Sequence, residues 1–310
     1  MNQYTYTDSD NQIYHYDIQC LKGTEVLSTK PLWEEVFSED SQAFTDYYFS
    51  RKATKNTTFV CKYLGTIVSM IHMTPYNMCV KGEIIPTFYI VGVATKEEHR
   101  HRGLMAALLQ EVFTYAGKVK SPFVFLMPAD PAIYEPFGFS YVYARPEYDV
   151  PTSMLAPEVY ISKEPKDGFC VKFINASISK SNLCKLASFA NDTLSQQVDY
   201  YIFRTEDYFD TLLAELQSQH GGIYLFKKEE DIVGYILYAN EGKPFIQEMV
   251  LSPDFDALSD SSFMSTHIPS VQTEKKPIIM AKNICIPESL ECIDYVNLLS
   301  NLKGCINEIV

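Results

Sequence analysis

The chain has 310 residues, of which 26 are lysine or arginine and 39 are aspartate or glutamate, so its formal net charge at pH 7 is −13. This acidic balance excludes nucleic acid and an anionic membrane as expected partners, because either would require a basic face, and it suits a cationic substrate instead. No apolar stretch approaches the ~20 residues that span a bilayer. The length is sufficient for two domains.

The N-terminus and the cysteines indicate the cellular environment. Residues 1–6 have neither the basic nor the apolar region of a secretory signal, so we expect a cytoplasmic protein. The eight cysteines include no C-x-x-C pair, which is typical of reduced and mostly buried thiols. We expect no metal ion.

The first predicted elements are two short helices and a hairpin. Residues 32–37 and 44–49 carry apolar side chains at helical spacing, and residues 58–63 and 66–71 predict two strands joined at Leu64 and Gly65. Before them, alternate positions carry tyrosine in the manner of an edge strand: Tyr4, Tyr6, Tyr14 and Tyr16.

A strand, a basic turn and a helix follow one another between residues 88 and 117. Residues 88–91 and Val93 are β-branched or aromatic and predict the strand, and the apolar spacing from Leu104 to Gly117 predicts the helix. The first amides of a helix have no partner within it and favour an anion at that end. The turn adds donors that suit phosphate: Arg100, His101 and Arg102, followed by Gly103. The sequence therefore predicts a cradle of pyrophosphate size.

This turn resembles motif A of the GNAT superfamily of N-acetyltransferases, whose pattern is R/Q-x-x-G-x-G/A. Arg100 and Gly103 fit the pattern, whereas Met105 departs from the usual glycine or alanine. A second block, residues 125–139, resembles the later strand, helix and Y-x-x-F-G-F element of the same superfamily, with Tyr134 as its tyrosine. The chain is identified as a member of the superfamily on these two blocks, which follow in the expected order.

The resemblance implies acetyl-CoA as cosubstrate and a set of residues that bind it. In this fold, two central strands splay apart, and a freed amide polarises the thioester carbonyl. Gly92 in mid-strand is consistent with a bulge at that point. The predicted cofactor-binding residues are Val91, Gly92, Val93, Arg100, His101, Arg102, Gly103, Leu104 and Met105.

Tyr134 is the predicted general acid. In the superfamily, the tyrosine of this element protonates the departing thiolate, and a phenol with a pKa near 10 can do so. The alternative is a tyrosine that packs its ring on the core and leaves its hydroxyl at the surface.

The order of elements occurs twice along the chain. Helices predicted at 182–193 and 206–217 precede strands at 223–228 and 232–236, and a shift of 165 residues brings several apolar positions into register. After its strand at 245–251, the second copy continues into an acidic segment without Arg-x-x-Gly. We expect one cofactor site per chain, in the first copy.

Tandem units with one intact site resemble the enhanced-intracellular-survival branch of the superfamily, in which a sterol-carrier-like domain follows. The predicted fold is α/β, with two tandem GNAT-type units, each a mixed, mostly antiparallel central sheet flanked by helices, and a short C-terminal α+β tail. The predicted boundaries are 1–148 for the N-terminal domain with the acetyl-CoA site, 149–255 for the degenerate second domain, and 256–310 for a remnant of the third.

Three further residues are candidates for chemistry. In that branch the terminal carboxylate enters the active site, so Val310 is the predicted base, and a frayed terminus is the alternative. His72 titrates in a range that would help to deprotonate an amine, although we favour a hydrogen-bonded strand residue. Glu248 stands alone among apolar residues and would line a pocket for a cationic amine, with an outward-facing strand position as the alternative.

The predicted activity is transfer of an acetyl group from acetyl-CoA to a primary amine by direct attack, with an aminoglycoside, a polyamine or a lysine-type peptide side chain as acceptor. The alternative is a non-catalytic regulator or scaffold that binds acyl-CoA. The oligomeric state stays open, with a homo-oligomer as one outcome.

Overall fold

The computed structural model describes residues 2–155, 169–255, 268–284 and 293–307. The N-terminal part begins with a tyrosine-rich hairpin and ends on a long edge strand. Its elements are β1 (Asn2–Thr7), β2 (Ile13–Lys22), α1 (Lys30–Val36), α2 (Gln42–Tyr47), β3 (Thr57–Tyr63), β4 (Thr66–Val80), β5 (Glu83–Thr95), α3 (Leu104–Lys118), β6 (Phe123–Leu126), α4 (Pro131–Tyr134) and β7 (Ser140–Asp149).

The second part repeats helices followed by a meander. Its elements are β8 (Phe169–Ile174), α5 (Lys180–Gln197), β9 (Tyr200–Ile202), α6 (Glu206–Ser218), β10 (Gly222–Lys228), β11 (Asp231–Asn240), β12 (Pro244–Leu251), β13 (Ser270–Asn283), α7 (Tyr295–Ser300) and β14 (Gly304–Cys305).

Two sheets organise these strands. The larger has the order β1-β2-β3-β4-β5-β6-β13-β7, with β9 paired to the end of β4 and β14 paired to β9. Its pairs are antiparallel except for β5 with β6 and β9 with β14. The smaller sheet, β12-β11-β10-β8, is antiparallel throughout. The predicted mixed, mostly antiparallel sheet flanked by helices is confirmed.

The second unit repeats the first in register. Thr57 and Thr66 begin β3 and β4, and Gly222 and Asp231, each 165 positions later, begin β10 and β11. A register shift after Cys61 in the first hairpin recurs in the second hairpin after Phe226, again 165 positions later. A gapless shift of 165 therefore aligns the two hairpins down to the irregularity in their pairing.

The C-terminal region completes the larger sheet. Strand β13 lies between β6 and β7 and pairs antiparallel with both, although those two strands are neighbours in the chain. The side chains of Ile279 and Met280 on this strand are at most 1% exposed and pack in two different core clusters. Described residues of the predicted tail, 256–310, are thus part of the sheet that carries the first unit.

Helix α3 packs on one face of the larger sheet. Leu104, Leu108 and Val112 recur at four-residue spacing and are at most 1% exposed, so they form the buried stripe expected of an amphipathic helix. They pack with Ile71 and Ile90 of the central strands. The side chain of Val91, the next residue of β5, packs on the opposite face with α1. Strand β5 therefore separates α3 from α1.

Candidate active site

The turn before α3 has the backbone shape of a cradle at the helix end. Gly103 is the N-cap residue and has a φ of +74°, and His101 also lies in the left-handed region, at +61°. Glycine adopts this region without a steric penalty. Because α3 has 15 residues, its first amides and its dipole are directed at whatever lies beyond Gly103.

The three basic residues of this turn have different surroundings. Arg100 is exposed, and its Nε donates to the carbonyl of Thr95 at 3.1 Å. His101 is also exposed. Arg102 is half-buried, and its Nη1 donates to the hydroxyl of Tyr16 at 3.0 Å. Two of the three predicted basic contacts are therefore open at the surface, and the third is occupied by an N-terminal tyrosine.

Strands β5 and β6 separate next to this turn. Their parallel pairing in the described residues consists of Phe88 with Val124 and Tyr89 with Phe125, whereas β5 continues to Thr95. On its other side, β5 has a register shift against β4, which leaves Gly92 and Val93 opposite one residue. The backbone of the predicted segment 91–93 is thus bulged on one side and without a β6 partner on the other.

Gly92 is also a point of close approach. Its φ is +59°, and a Cβ there would lie 2.5 Å from Cζ3 of Trp33. The Trp33 ring stacks on Tyr48 at 4.3 Å, and its Nε1 donates to Asp40 at 2.8 Å. An indole ring therefore covers the bulged backbone on the α1 face.

A cleft of about 670 Å³ opens beside the bulge, between the two units. Val91, Gly92 and Trp33 line its first-unit side, and the end of α6 and the loop after β11 line the other. Its acidic lining residues are Glu39, Asp40 and Glu241. Burial raises the pKa of Asp40, and burial followed by the charge of Asp40 raises that of Glu241. Asp40 and Glu241 thus bring acidic side chains from both units to one cleft.

Tyr134 lies at the end of the short helix α4, whose N-cap, Asp130, accepts from the amide of Ala132 at 2.9 Å. The side chain is 7% exposed and packs in the core cluster that contains the first turn of α3. Its ring meets Phe139 edge to face at 5.8 Å. Burial raises the pKa of Tyr134 to about 12, so the phenol carries its proton at neutral pH.

His72 and Glu248 have internal partners. The Nε2 of His72 lies 3.1 Å from Thr29 Oγ1 and its Nδ1 lies 3.1 Å from the Tyr48 hydroxyl, and burial lowers its pKa to about 3. Glu248 is 4% exposed and pairs with Arg204 at 2.6 Å. Neither is among the described residues that line the cleft. Val310, the predicted base, lies outside the described residues.

Sequence reasoning missed the walls of the cleft. Trp33, Asp40 and Glu241 carry no motif, and the last of them comes from the second unit. The single tryptophan of the chain was the one available signal. In the described residues, no helix is long and apolar enough to cross a membrane, and no group of three potential metal ligands occurs.

Comparison with known proteins gives a family match within the first unit. Residues 17–142 match the family model of the acetyltransferase (GNAT) domain. No curated protein matches the chain by sequence.

Solved structures share the fold across most of the chain. A probable N-acyltransferase from Enterococcus faecalis, described as a conserved protein of unknown function, is 17% identical with a TM-score of 0.65, over 87% of this chain and 73% of that one. A GCN5-related N-acetyltransferase from Anabaena variabilis is 13% identical with a TM-score of 0.63, over 87% and 73%. Eis1 from Mycobacterium abscessus is 12% identical with a TM-score of 0.59, over 86% and 74%. Residues 17–142, which contain both blocks that resemble the superfamily in sequence, are therefore similar to the acetyltransferase (GNAT) domain.

Proposed function

We propose that the chain transfers an acetyl group from acetyl-CoA to a primary amine that enters the cleft between the two units. The observation that carries this proposal is the position of the bulge at Gly92. The bulge lies on the strand that separates α3 from α1, and the acidic cleft opens beside it. A thioester held along α3 would reach the amine through the gap between β5 and β6.

The binding roles follow from the surroundings of each residue. Arg100 and His101 are exposed, and Arg100 supplies charge and His101 a ring N–H donor to the diphosphate, while the amides of Gly103, Leu104 and Met105 supply donors at the helix end. Met105 lies in the first turn of α3, where the amide has no partner within the helix, and its side chain packs against the core. The backbone of Val91, Gly92 and Val93 supplies the donor to the thioester carbonyl.

The reaction is direct attack. The amine nitrogen bonds to the thioester carbonyl carbon, the carbon–sulfur bond breaks, and the thiolate takes a proton from the Tyr134 hydroxyl. The proton that the amine loses passes to a base, for which we propose the terminal carboxylate of Val310. Because the folded phenol has a pKa of about 12, Tyr134 recovers its proton from solvent at neutral pH.

The acceptor that fits the cleft is a cation with more than one amine. Asp40 and Glu241 line the cleft from the two units, and the charge of Asp40 raises the pKa of Glu241, so a second positive charge on the acceptor would be favoured there. Aminoglycosides, polyamines and lysine-containing peptides all meet this requirement.

The test is release of CoA from acetyl-CoA with a panel of polyamines, aminoglycosides, lysine peptides and neutral monoamines. We expect turnover with polycationic acceptors, and a loss of kcat of about 10²- to 10⁴-fold in Tyr134→Phe with unchanged affinity for CoA. The matched control is Tyr141→Phe, because Tyr141 is 38% exposed on β7. Full turnover in Tyr134→Phe would contradict the assigned acid. Tight binding of acetyl-CoA without turnover on any acceptor would favour the non-catalytic alternative.

A further inference from the structure

The N-terminal hairpin carries a tyrosine cluster beside the turn at Gly103. Tyr4 pairs directly with Tyr16, and Tyr6 with Tyr14, across β1 and β2. Their ring centroids are 6.3 and 6.2 Å apart, and the ring of Tyr63 joins the two pairs through Tyr14 and Tyr16, at 5.8 and 5.5 Å. All four precede residue 17, where the match to the family model begins. These four tyrosines therefore belong to a part of the chain that the family model does not cover.

Three of these tyrosines hold the side chain of Arg102. Its guanidinium carbon lies 4.1 Å from the ring centre of Tyr14 and 5.8 Å from that of Tyr6, which is cation–π geometry. Its Nη1 donates to the Tyr16 hydroxyl at 3.0 Å. That hydroxyl in turn lies 3.0 Å from Nδ1 of His99. Burial and then the charge of Arg102 lower the pKa of His99, so its ring is neutral and Nδ1 can accept.

The fourth tyrosine holds the backbone of the same residue. The Tyr4 hydroxyl donates to the carbonyl of Arg102 at 2.8 Å. In a trans peptide, the carbonyl and the following N–H point in opposite directions. Because the Arg102 carbonyl points at the hairpin, the Gly103 N–H points away from it. A Cβ at Gly103 would also collide with the Tyr4 hydroxyl, so this contact requires glycine.

We propose that the hairpin tyrosines orient the diphosphate-binding turn, with Tyr4 and Arg102 as positioning residues and Arg100 and His101 as the side chains that contact the diphosphate of coenzyme A. This inference rests on the proposed function and divides the basic residues of the turn into two roles. Arg102 acts through its contacts with the tyrosines, and its charge does not reach the ligand. Tyr4 acts by directing the Gly103 amide.

The experiment compares two thioesters, acetyl-CoA and acetyl-pantetheine, of which the second lacks the diphosphate. In Tyr4→Phe we expect the KM for acetyl-CoA to rise about fivefold, the effect of one hydrogen bond, with kcat unchanged and the KM for acetyl-pantetheine unchanged. The matched control is Tyr63→Phe. Tyr63 packs beside Tyr14 and Tyr16 but is not among the rings that contact Arg102.

Lysine substitution distinguishes the roles of Arg100 and Arg102, because lysine keeps the positive charge but lacks the planar guanidinium. Arg102→Lys should weaken CoA binding in calorimetry as much as Arg102→Ala does, whereas Arg100→Lys should recover most of the affinity that Arg100→Ala loses. The salt dependence of CoA binding should become weaker in Arg100→Ala alone.

Three results would overturn the inference. The first is wild-type affinity for CoA in Arg102→Lys together with weak binding in Arg102→Ala. The second is an equal rise of KM for acetyl-CoA and acetyl-pantetheine in Tyr4→Phe. The third is wild-type affinity and KM in every Tyr4 and Arg102 variant. A wild-type protein that binds no CoA would instead refute the proposed function, so the two failures are distinguishable.

Discussion

His72 illustrates at the residue scale how surroundings decide the chemistry of a side chain. Its place near acyl-transfer elements suggested a role with the amine, and the alternative was a hydrogen-bonded strand residue. Thr29 and Tyr48 engage both ring nitrogens in the folded chain, and the residue is fully buried. The sequence contains the histidine but not the two partners, which come from separate elements.

His72 predicts a dependence of stability on pH. Its pKa is lowered from about 6.5 to about 3, so below pH 6.5 the unfolded chain binds a proton that the folded chain does not. Stability contributed by the neutral ring is complete above pH 6.5 and is lost as the pH falls towards 3. Between pH 7.5 and 5.5 we expect His72 to remove about 1 kcal/mol of unfolding free energy, measured by urea denaturation.

The control for this prediction is His72→Gln, which cannot be protonated. The variant should be less stable at neutral pH but should lack this part of the pH slope, since the other histidines are unchanged. Equal slopes in the two proteins would show that burial does not suppress protonation of His72.

At the element scale, the repeat places a carboxylate in the second unit at the position that Val91 has in the first. His72 pairs with Val91 in the first unit, and Leu237, 165 positions later, pairs with Glu248 in the second. Glu248 thus occupies the place on β12 that Val91 has on β5. The Glu248 carboxylate pairs with Arg204 and accepts a hydrogen bond from the hydroxyl of Tyr235, each at 2.6 Å.

Removing this carboxylate should destabilise the second unit. Glu248→Gln leaves the fully buried Arg204 without its ionic partner, so we expect a loss of about 3–5 kcal/mol in unfolding free energy by chemical denaturation. The KM for the amine should stay unchanged. Glu230→Gln is the control, because its carboxylate is 90% exposed and solvent screens its pair with Lys227. Wild-type stability with a raised KM for the amine would instead support the predicted role of Glu248 in binding the amine.

At the scale of the whole molecule, the larger sheet depends on a distant segment. Strand β13 lies between β6 and β7, and its buried side chains pack with those of β6, β7 and β9. Strand β9, from the second part, extends the same sheet at the end of β4. Neither contact is visible in the sequence, because backbone pairing across more than 100 residues leaves no local pattern.

Truncation tests this dependence. A chain that ends at Phe255 should lose cooperative thermal unfolding of the first unit. Without β13, the backbone N–H and C=O groups that β6 and β7 direct at it would have no hydrogen-bond partners. Deletion of residues 308–310 is the control: it should leave the melting transition in place and lower kcat if the terminal carboxylate is the base. A cooperative melt of the 1–255 chain would show that the first unit folds without β13.

The sequence by itself determined the local elements, the superfamily and the repeat. The turn at Gly103, the stripe of α3 and the shift of 165 residues are properties of neighbouring positions, so short-range spacing carries them. Tertiary structure alone decided that Arg100 is open while Arg102 is held by tyrosines, that Trp33 covers Gly92, and that Asp40 and Glu241 face one cleft. These features depend on side chains brought together from distant segments, and burial then sets their charge and their access to a ligand.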